Sequence, residues 1–171
     1  MTGEENKQVY ERYIELLNAQ DLGDLDEVVD PERYREICVG FTPGWVDLPE
    51  AITSFEKVVG GIPDLNARID DLVCENDKVY ERLTLTGTNT GRFFGAPPTG
   101  RAYEVSMFDY ARLEDGRIVE RIQQSDTLSQ LKQMYAGAAR KGAVAAALLG
   151  AATVFILGRR RASARSPKGR G

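Results

Sequence analysis

The sequence predicts an α+β fold: a curved antiparallel sheet wrapped by N-terminal helices around a cone-shaped pocket, followed by a hydrophobic helix at the C-terminus. Three observations carry this prediction. Apolar residues recur at helical spacing up to Gly61 and then, after Pro63, switch to alternation. The alternating region is divided at Asn76–Asp77 and Asp115–Gly116, pairs that tolerate the positive φ of a tight hairpin turn. Gly142 to Gly158 is a 17-residue stretch without charge, flanked by Arg140-Lys141 on one side and by Arg159, Arg160 and Arg161 on the other.

The elements follow in order. Thr2 and Glu5 have the spacing of a capping box, in which the hydroxyl accepts from a free helix N–H while the carboxylate reaches back to the cap's own N–H. Val9, Tyr10, Tyr13, Ile14 and Leu17 then share one face of a helix over roughly 4–19. A short second helix holds Leu25, Val28 and Val29 and stops at Pro31, which cannot continue the hydrogen-bond ladder. Ile37 to Phe41 is a brief β-prone run, and Trp45, the single tryptophan, follows as either a pocket lid or a core plug. A third helix opens near Asp47 with Pro49 in its first turn, repeats Ile52, Phe55, Val58 and Val59, and closes at Gly60-Gly61. Four antiparallel strands come next: NARIDDLVCE, KVYERLTLTGTNTG, and two near 101–113 and 117–125. Thr127 and Gln130 are spaced as a second capping box, before a last helix that begins with Leu128, Leu131 and Met134. Strand twist curls such a sheet, and with helices on one side its concave face becomes a cavity.

Composition narrows the chemistry. At 171 residues, 42% hydrophobic and 28% charged, the chain has room for one core and a modest appendage. It contains no histidine, which removes the usual near-neutral base, the commonest zinc ligand and every triad built on an imidazole. Cys38 and Cys74 stand apart without CxxC spacing and read as two buried thiols. No metal or organic cofactor is implied. From Gly137 onward there are eight cations and no acid, leaving 14 cations against 26 acids, or −12, in residues 1–136. An acidic body argues against nucleic acid as a partner, whereas a basic tail beside an apolar run suits an anionic membrane surface.

The expected division is a cone domain over 1–136, a hydrophobic, membrane-inserted helix over 137–158 and a basic disordered tail over 159–171. As a helix the charge-free run spans about 26 Å, against a hydrocarbon core of about 30 Å. Gly142, Ala146 and Gly150 at four-residue spacing allow close helix contact there. The protein is thus expected at a membrane, with its catalytic-type domain on the cytoplasmic side, because no signal peptide is read at the N-terminus. The cations after the run would instead keep the tail in the cytoplasm, so a tail anchor, the opposite topology and a shallow insertion held by anionic lipid all stay open.

Chemistry concentrates between Gly87 and Asp126. With a period of two, Val105, Met107, Asp109 and Ala111 share one side of their strand, and Ser106, Phe108, Tyr110 and Arg112 share the other. On the next strand Ile118, Glu120, Ile122, Gln124 and Asp126 share a face. With both faces concave, Asp109 and Asp126 approach each other over an apolar floor, a setting that suits a carboxylate to proton exchange. Asp126 also stands where it could cap the last helix, and Asp109 could pair with Arg82 or Arg101. Tyr80, Tyr110 and Gln124 are candidate hydrogen-bond donors to a substrate, with Met107 on the floor and Trp45 at the lid. The segment GTNTGRFFGAPPTG lacks the lysine of a P-loop and precedes a strand, so it reads as a pocket rim. Phe93 and Phe94 make that rim apolar, which suits a hydrophobic small molecule.

The element order and the run GTNTGRFFGAPPTG…FDYARLEDGRIVERIQQSD resemble the SnoaL-like polyketide cyclases, also called ester cyclases, of the nuclear-transport-factor-like cone fold, over roughly residues 5–136. The most specific parts are the GxPPTG rim, the DGRIVE turn and the aspartate closing the last strand. The resemblance implies a cofactor-free intramolecular aldol condensation with Asp126 as the catalytic acid/base; the placement of Asp109 beside it adds the expectation that Asp109 shares its proton or tunes it. The chain departs from the family at the polar companions: a family histidine falls on Asp109, a family asparagine around Arg35–Glu36, and a His-Trp pair on Arg121-Ile122. The expectation is a cyclase or isomerase acting on a hydrophobic carbonyl compound. Two alternatives stand beside it: a non-catalytic binding or dimerisation module tethered to a membrane, and an epoxide hydrolase. The latter is similar to limonene epoxide hydrolase of the same cone, with Asp109 and Asp126 matching its aspartates and Met107 where its arginine is expected. An open sheet face in such cones implies a homodimer.

Overall fold

The computed structural model describes residues 2–42 and 44–135; the hydrophobic helix expected over 137–158 and the basic tail over 159–171 lie outside them. Helix α1 (Gly3–Ala19) starts with both halves of the capping box made: Thr2 N donates to Glu5 Oε2 at 2.6 Å, and Glu5 N donates to Thr2 Oγ1 at 3.2 Å. Its inward face is Asn6, Tyr10, Tyr13 and Ile14, and the helix ends at Gln20 with φ 58°. The expected second helix is a 3-10 turn, Leu22–Glu27, that stops before Val28 and Val29. Val28 closes that turn, its O accepting from Ile118 N at 2.8 Å, and Val29 bridges Ile118.

Strand β1 (Arg35–Cys38) begins two residues before the expected run and breaks off before Gly40, which takes φ 91°. A two-residue strand not foreseen from the sequence, β2 (Val46–Asp47), pairs with it and leads into α2 (Leu48–Gly61), where Asp47 Oδ1 accepts from Glu50 N at 3.0 Å. The long strands are β3 (Asn66–Glu75), β4 (Lys78–Thr88), β5 (Ala102–Glu114) and β6 (Arg117–Ser125), and α3 (Thr127–Tyr135) follows. Asn76, Asp115 and Gly116 all take positive φ at the two hairpin turns.

The six strands form one sheet in the order β2-β1-β6-β5-β4-β3, antiparallel except where β1 runs parallel to β6. Helix α1 packs across its concave side, so that Tyr10, Ile14, Leu83, Ala111 and Ile118 make the main core. A second cluster, with Ile62, Phe93, Tyr103 and Met134, ties the rim segment to α3. Among the described residues no helix is long and apolar enough to cross a membrane.

One irregularity decides which side chains enter the cone. The β5–β6 hairpin starts with Glu114 opposite Arg117 and Leu113 opposite Ile118, but then slips, so that Arg112 pairs with Glu120 and Asp109 with Gln123. The extra residue, Val119, is a β-bulge. Without it Asp109 would face Ile122. With it, Arg121, Gln123 and Ser125 share the concave face with Asp109, and Glu120, Ile122, Gln124 and Asp126 turn to the convex face. The expected inward grouping of Asp126 with Gln124 is therefore reversed.

Candidate functional site

Between α1, α2 and the concave sheet lies a cavity of about 130 Å³. Leu17, Phe41, Phe55, Phe94 and Met107 give it apolar walls, and Glu36, Arg121, Gln123, Tyr13 and Tyr34 its polar surface. Glu36 is the one carboxylate among the described residues that lines it.

The polar surface is built on strand register. Glu36 on β1 lies opposite Arg121 on β6, and Asp109 on β5 is one step further along the same face. Arg121 is 3% exposed and forms an ion pair with Asp109 Oδ2, while its Nη1 stands 3.6 Å from Glu36 Oε2. Arg121 Nη1 also donates to Tyr13 Oη at 3.0 Å, and its Nε donates to Tyr10 Oη at 3.3 Å. Tyr10 O–H donates in turn to Asp109 Oδ2 at 2.9 Å. Glu36 Oε2 accepts from Tyr34 O–H at 2.7 Å and from Gln123 Nε2 at 3.0 Å, which leaves Oε1 free of any donor among the described residues. Burial opposes the charge of Arg121, but Asp109 and the surrounding tyrosines outweigh it and hold the guanidinium protonated well above its ordinary range. Burial also pushes the Tyr13 phenol up to about 12, so it remains an O–H donor at neutral pH.

Of the residues singled out in the sequence, Asp109, Met107, Phe93 and Phe94 come to this side of the sheet, the last three lining the cavity. Asp126 does not: it is exposed, and its Oδ1 accepts from Ser129 N at 2.9 Å, so that it, and not Thr127, caps α3. Tyr80 and Tyr110 pair across the convex face with ring centroids 5.3 Å apart, and Tyr80 is 43% exposed. Gln124 is exposed on that face as well. Trp45 is neither lid nor plug: it does not line the cavity, the residue is 47% exposed, and its ring stacks under the Arg35 guanidinium at 4.8 Å. Asp109 pairs with Arg121, not with Arg82, which reaches Asp70, or Arg101, which reaches Gln133 O.

The residues missed were Glu36, Arg121, Gln123 and the three buried tyrosines. Glu36 was within reach of the alternation rule, since Glu36 and Cys38 share one face of their run. Among the described residues no group of three or more His, Cys, Asp or Glu is placed to hold a metal ion.

A six-stranded curved sheet closed by helices over a cavity that ends on a buried arginine and Glu36 defines an NTF2-like cone protein. The family model of the SnoaL-like polyketide cyclases matches residues 7–134, and the chain belongs to that family. Among solved structures it is similar to IdmH from Streptomyces antibioticus, a candidate polyketide cyclase, at 29% identity and TM-score 0.68, over 75% of this chain and 96% of that one. A candidate SnoaL-like polyketide cyclase from Jannaschia sp. CCS1 matches at 25% identity and TM-score 0.71, over 78% and 94%. An LEH-like epoxide hydrolase from M. tuberculosis shares the fold at 14% identity and TM-score 0.61, over 80% and 93%. No functionally curated protein matches the chain.

Proposed function

We propose that the protein is a cofactor-free cyclase or isomerase acting on a hydrophobic, polyketide-like carbonyl compound, with Glu36 in the acid/base role that the resemblance assigned to Asp126. The observation that carries this reading is the position of Glu36, a carboxylate on the wall of an apolar cavity with one oxygen held by Tyr34 and Gln123 and the other receiving no donor among the described residues. Glu36 Oε1 removes the proton from the carbon next to the substrate carbonyl. The carbanion so formed attacks a second carbonyl of the same molecule, and the resulting alkoxide takes the proton back from Glu36, so no external reactant is consumed. Tyr13 O–H, the Gln123 amide and Ser125 O–H line the same wall and supply donors to the developing oxyanion. The volume is close to the roughly 150 Å³ that accommodates a benzene ring, which favours a one-ring or short-chain substrate.

The test is turnover of a panel of polyketide esters. Glu36→Gln is expected to lose about 10²- to 10⁴-fold in rate, the usual weight of a general acid/base, while Asp126→Asn keeps the wild-type rate. Equal rates for wild type and Glu36→Gln overturn the assignment. Ligand binding without turnover of any substrate supports instead the non-catalytic binding module, a reading favoured by the displacement of Asp126 to a helix cap. Epoxide hydrolysis is a further reading, favoured by the position of Arg121 between Glu36 and Asp109. Against it, Asp109 does not line the cavity. Diol formation from an epoxide panel would establish it. Membrane attachment through 137–158 and pairing through the convex face belong to the same proposal, to be read by flotation with anionic vesicles and by sedimentation.

A further inference from the structure

Glu81 lies directly across from Asp109 in the β4–β5 ladder, on the concave face, with 5% and 4% exposure respectively. Asp109 Oδ2 is fully engaged by Arg121 and by Tyr10 O–H. Asp109 Oδ1 and both Glu81 oxygens are sealed from solvent and receive no donor among the described residues. Three buried acceptor oxygens in one place are costly, and two ionised carboxylates offer each other only lone pairs. A single proton resolves the conflict, because a carboxylic acid is also a donor.

We propose that Glu81 is a neutral carboxylic acid in the folded protein and the positioning residue of the buried cluster: its O–H donates to Asp109 Oδ1 and so holds Asp109 Oδ2 on Arg121 and Tyr10. Of the groups that face Glu81, the two that favour its charge, Arg121 and Tyr10, are already engaged by Asp109. Helix α1 presents Tyr10, β5 presents Asp109 and β6 presents Arg121, while the residue opposite on β3 is Leu72. The one cation is already divided between Asp109 and Glu36. Burial, and after it the charge of Asp109, pushes Glu81 up to about 9. Neither Glu81 nor Asp109 lines the cavity, so the inference stands independently of the proposed reaction.

The direct test is proton release when the full chain unfolds in urea at pH 7 in weak buffer. An unfolded glutamate is ionised at that pH, so about one proton per chain is expected. Asp30, Asp64 and Asp70 are held below their ordinary values and are ionised in both states, so they do not contribute. Because the folded value lies above the unfolded one, the stabilisation is complete below the ordinary glutamate range and is lost as pH rises through about 9. Across that window the unfolding constant of the wild type should rise about tenfold per pH unit relative to Glu81→Gln, whose side chain donates without titrating. In NMR, the exchange-protected Arg121 Nε–H signal should persist in Glu81→Gln and disappear in Glu81→Met, which fills the space without a donor. Absence of proton release, or parallel pH curves for wild type and Glu81→Gln, overturns the neutral acid. An unchanged Arg121 signal in Glu81→Met overturns the positioning role. If Glu81→Gln does not fold, the wild-type proton count, together with the infrared band of a protonated carboxyl lost above pH 9, decides the question.

Discussion

The two faces of β4, β5 and β6 each depart from the usual arrangement at a few positions. Inward positions carry Glu81, Asp109 and Arg121, none more than 5% exposed, while outward positions of the same strands put Tyr80 and Phe108 into solvent at 43% and 60%. An antiparallel sheet with one wet face ordinarily keeps apolar residues inside and polar ones outside. Charges taken out of water cost stability that even good pairing recovers only in part, so a cluster of this kind is weak evidence for stability and stronger evidence for a site. The outward aromatics are the converse, apolar area left uncovered in the single chain.

Breaking the inward side should have the largest effect. Arg121→Met leaves Asp109 and Glu36 as buried acids without their cation, and a loss of about 3–5 kcal/mol is expected from urea unfolding. A loss below 1 kcal/mol would mean that the cluster is wet. An intermediate effect is expected at the hairpin's end: Asp126→Ala removes the cap of α3 for about 1 kcal/mol and leaves ligand affinity in the cavity unchanged. The smallest effect is expected outside, where Phe108→Ser should change monomer stability by no more than about 0.5 kcal/mol in either direction. A larger loss that grows with protein concentration would show that the convex face is covered by a second copy.

Much of this was legible in the residues. The helix boundaries followed from Thr2, Asp47 and the Gly60-Gly61 pair, and the hairpins from Asn76 and Asp115, because caps and turns are set by local backbone chemistry. The face of β5 was legible too, since alternation within one strand needs no partner. The face of β6 was not. An unbulged two-residue hairpin from Asp115–Gly116 would have set Asp109 opposite Ile122 and turned Asp126 inward, as the alternation suggested. One unpaired residue, Val119, inverts every side chain beyond it, and nothing in IVERIQQ announces a bulge. For the same reason Arg121 read as a replaced family residue and not as the centre of the cluster. Its partners come from α1, β1 and β5, up to 111 residues away in sequence, and such convergence is a property of the packed molecule.

The rim segment depends on one amide. Asn89 is completely buried; its Nδ2 donates to Gly61 O at 3.3 Å and Gly91 O at 3.0 Å, and its Oδ1 accepts from Thr99 N at 3.0 Å. Gly91 N in turn donates to Gly61 O at 3.0 Å, an approach so close that a Cβ on Gly91 would come within 2.0 Å of Gly60 O. One end of the loop, Asn89 to Gly91, is thus pinned to α2 and the other, Thr99, to Asn89, while the residues between them, Phe93 and Phe94 included, are anchored by packing alone or by contacts within the loop. The aperture is therefore a separable variable of this architecture: its width and lining can diverge between relatives by exchange of a few loop residues, with the sheet, its bulge and the buried charges beneath left as they are.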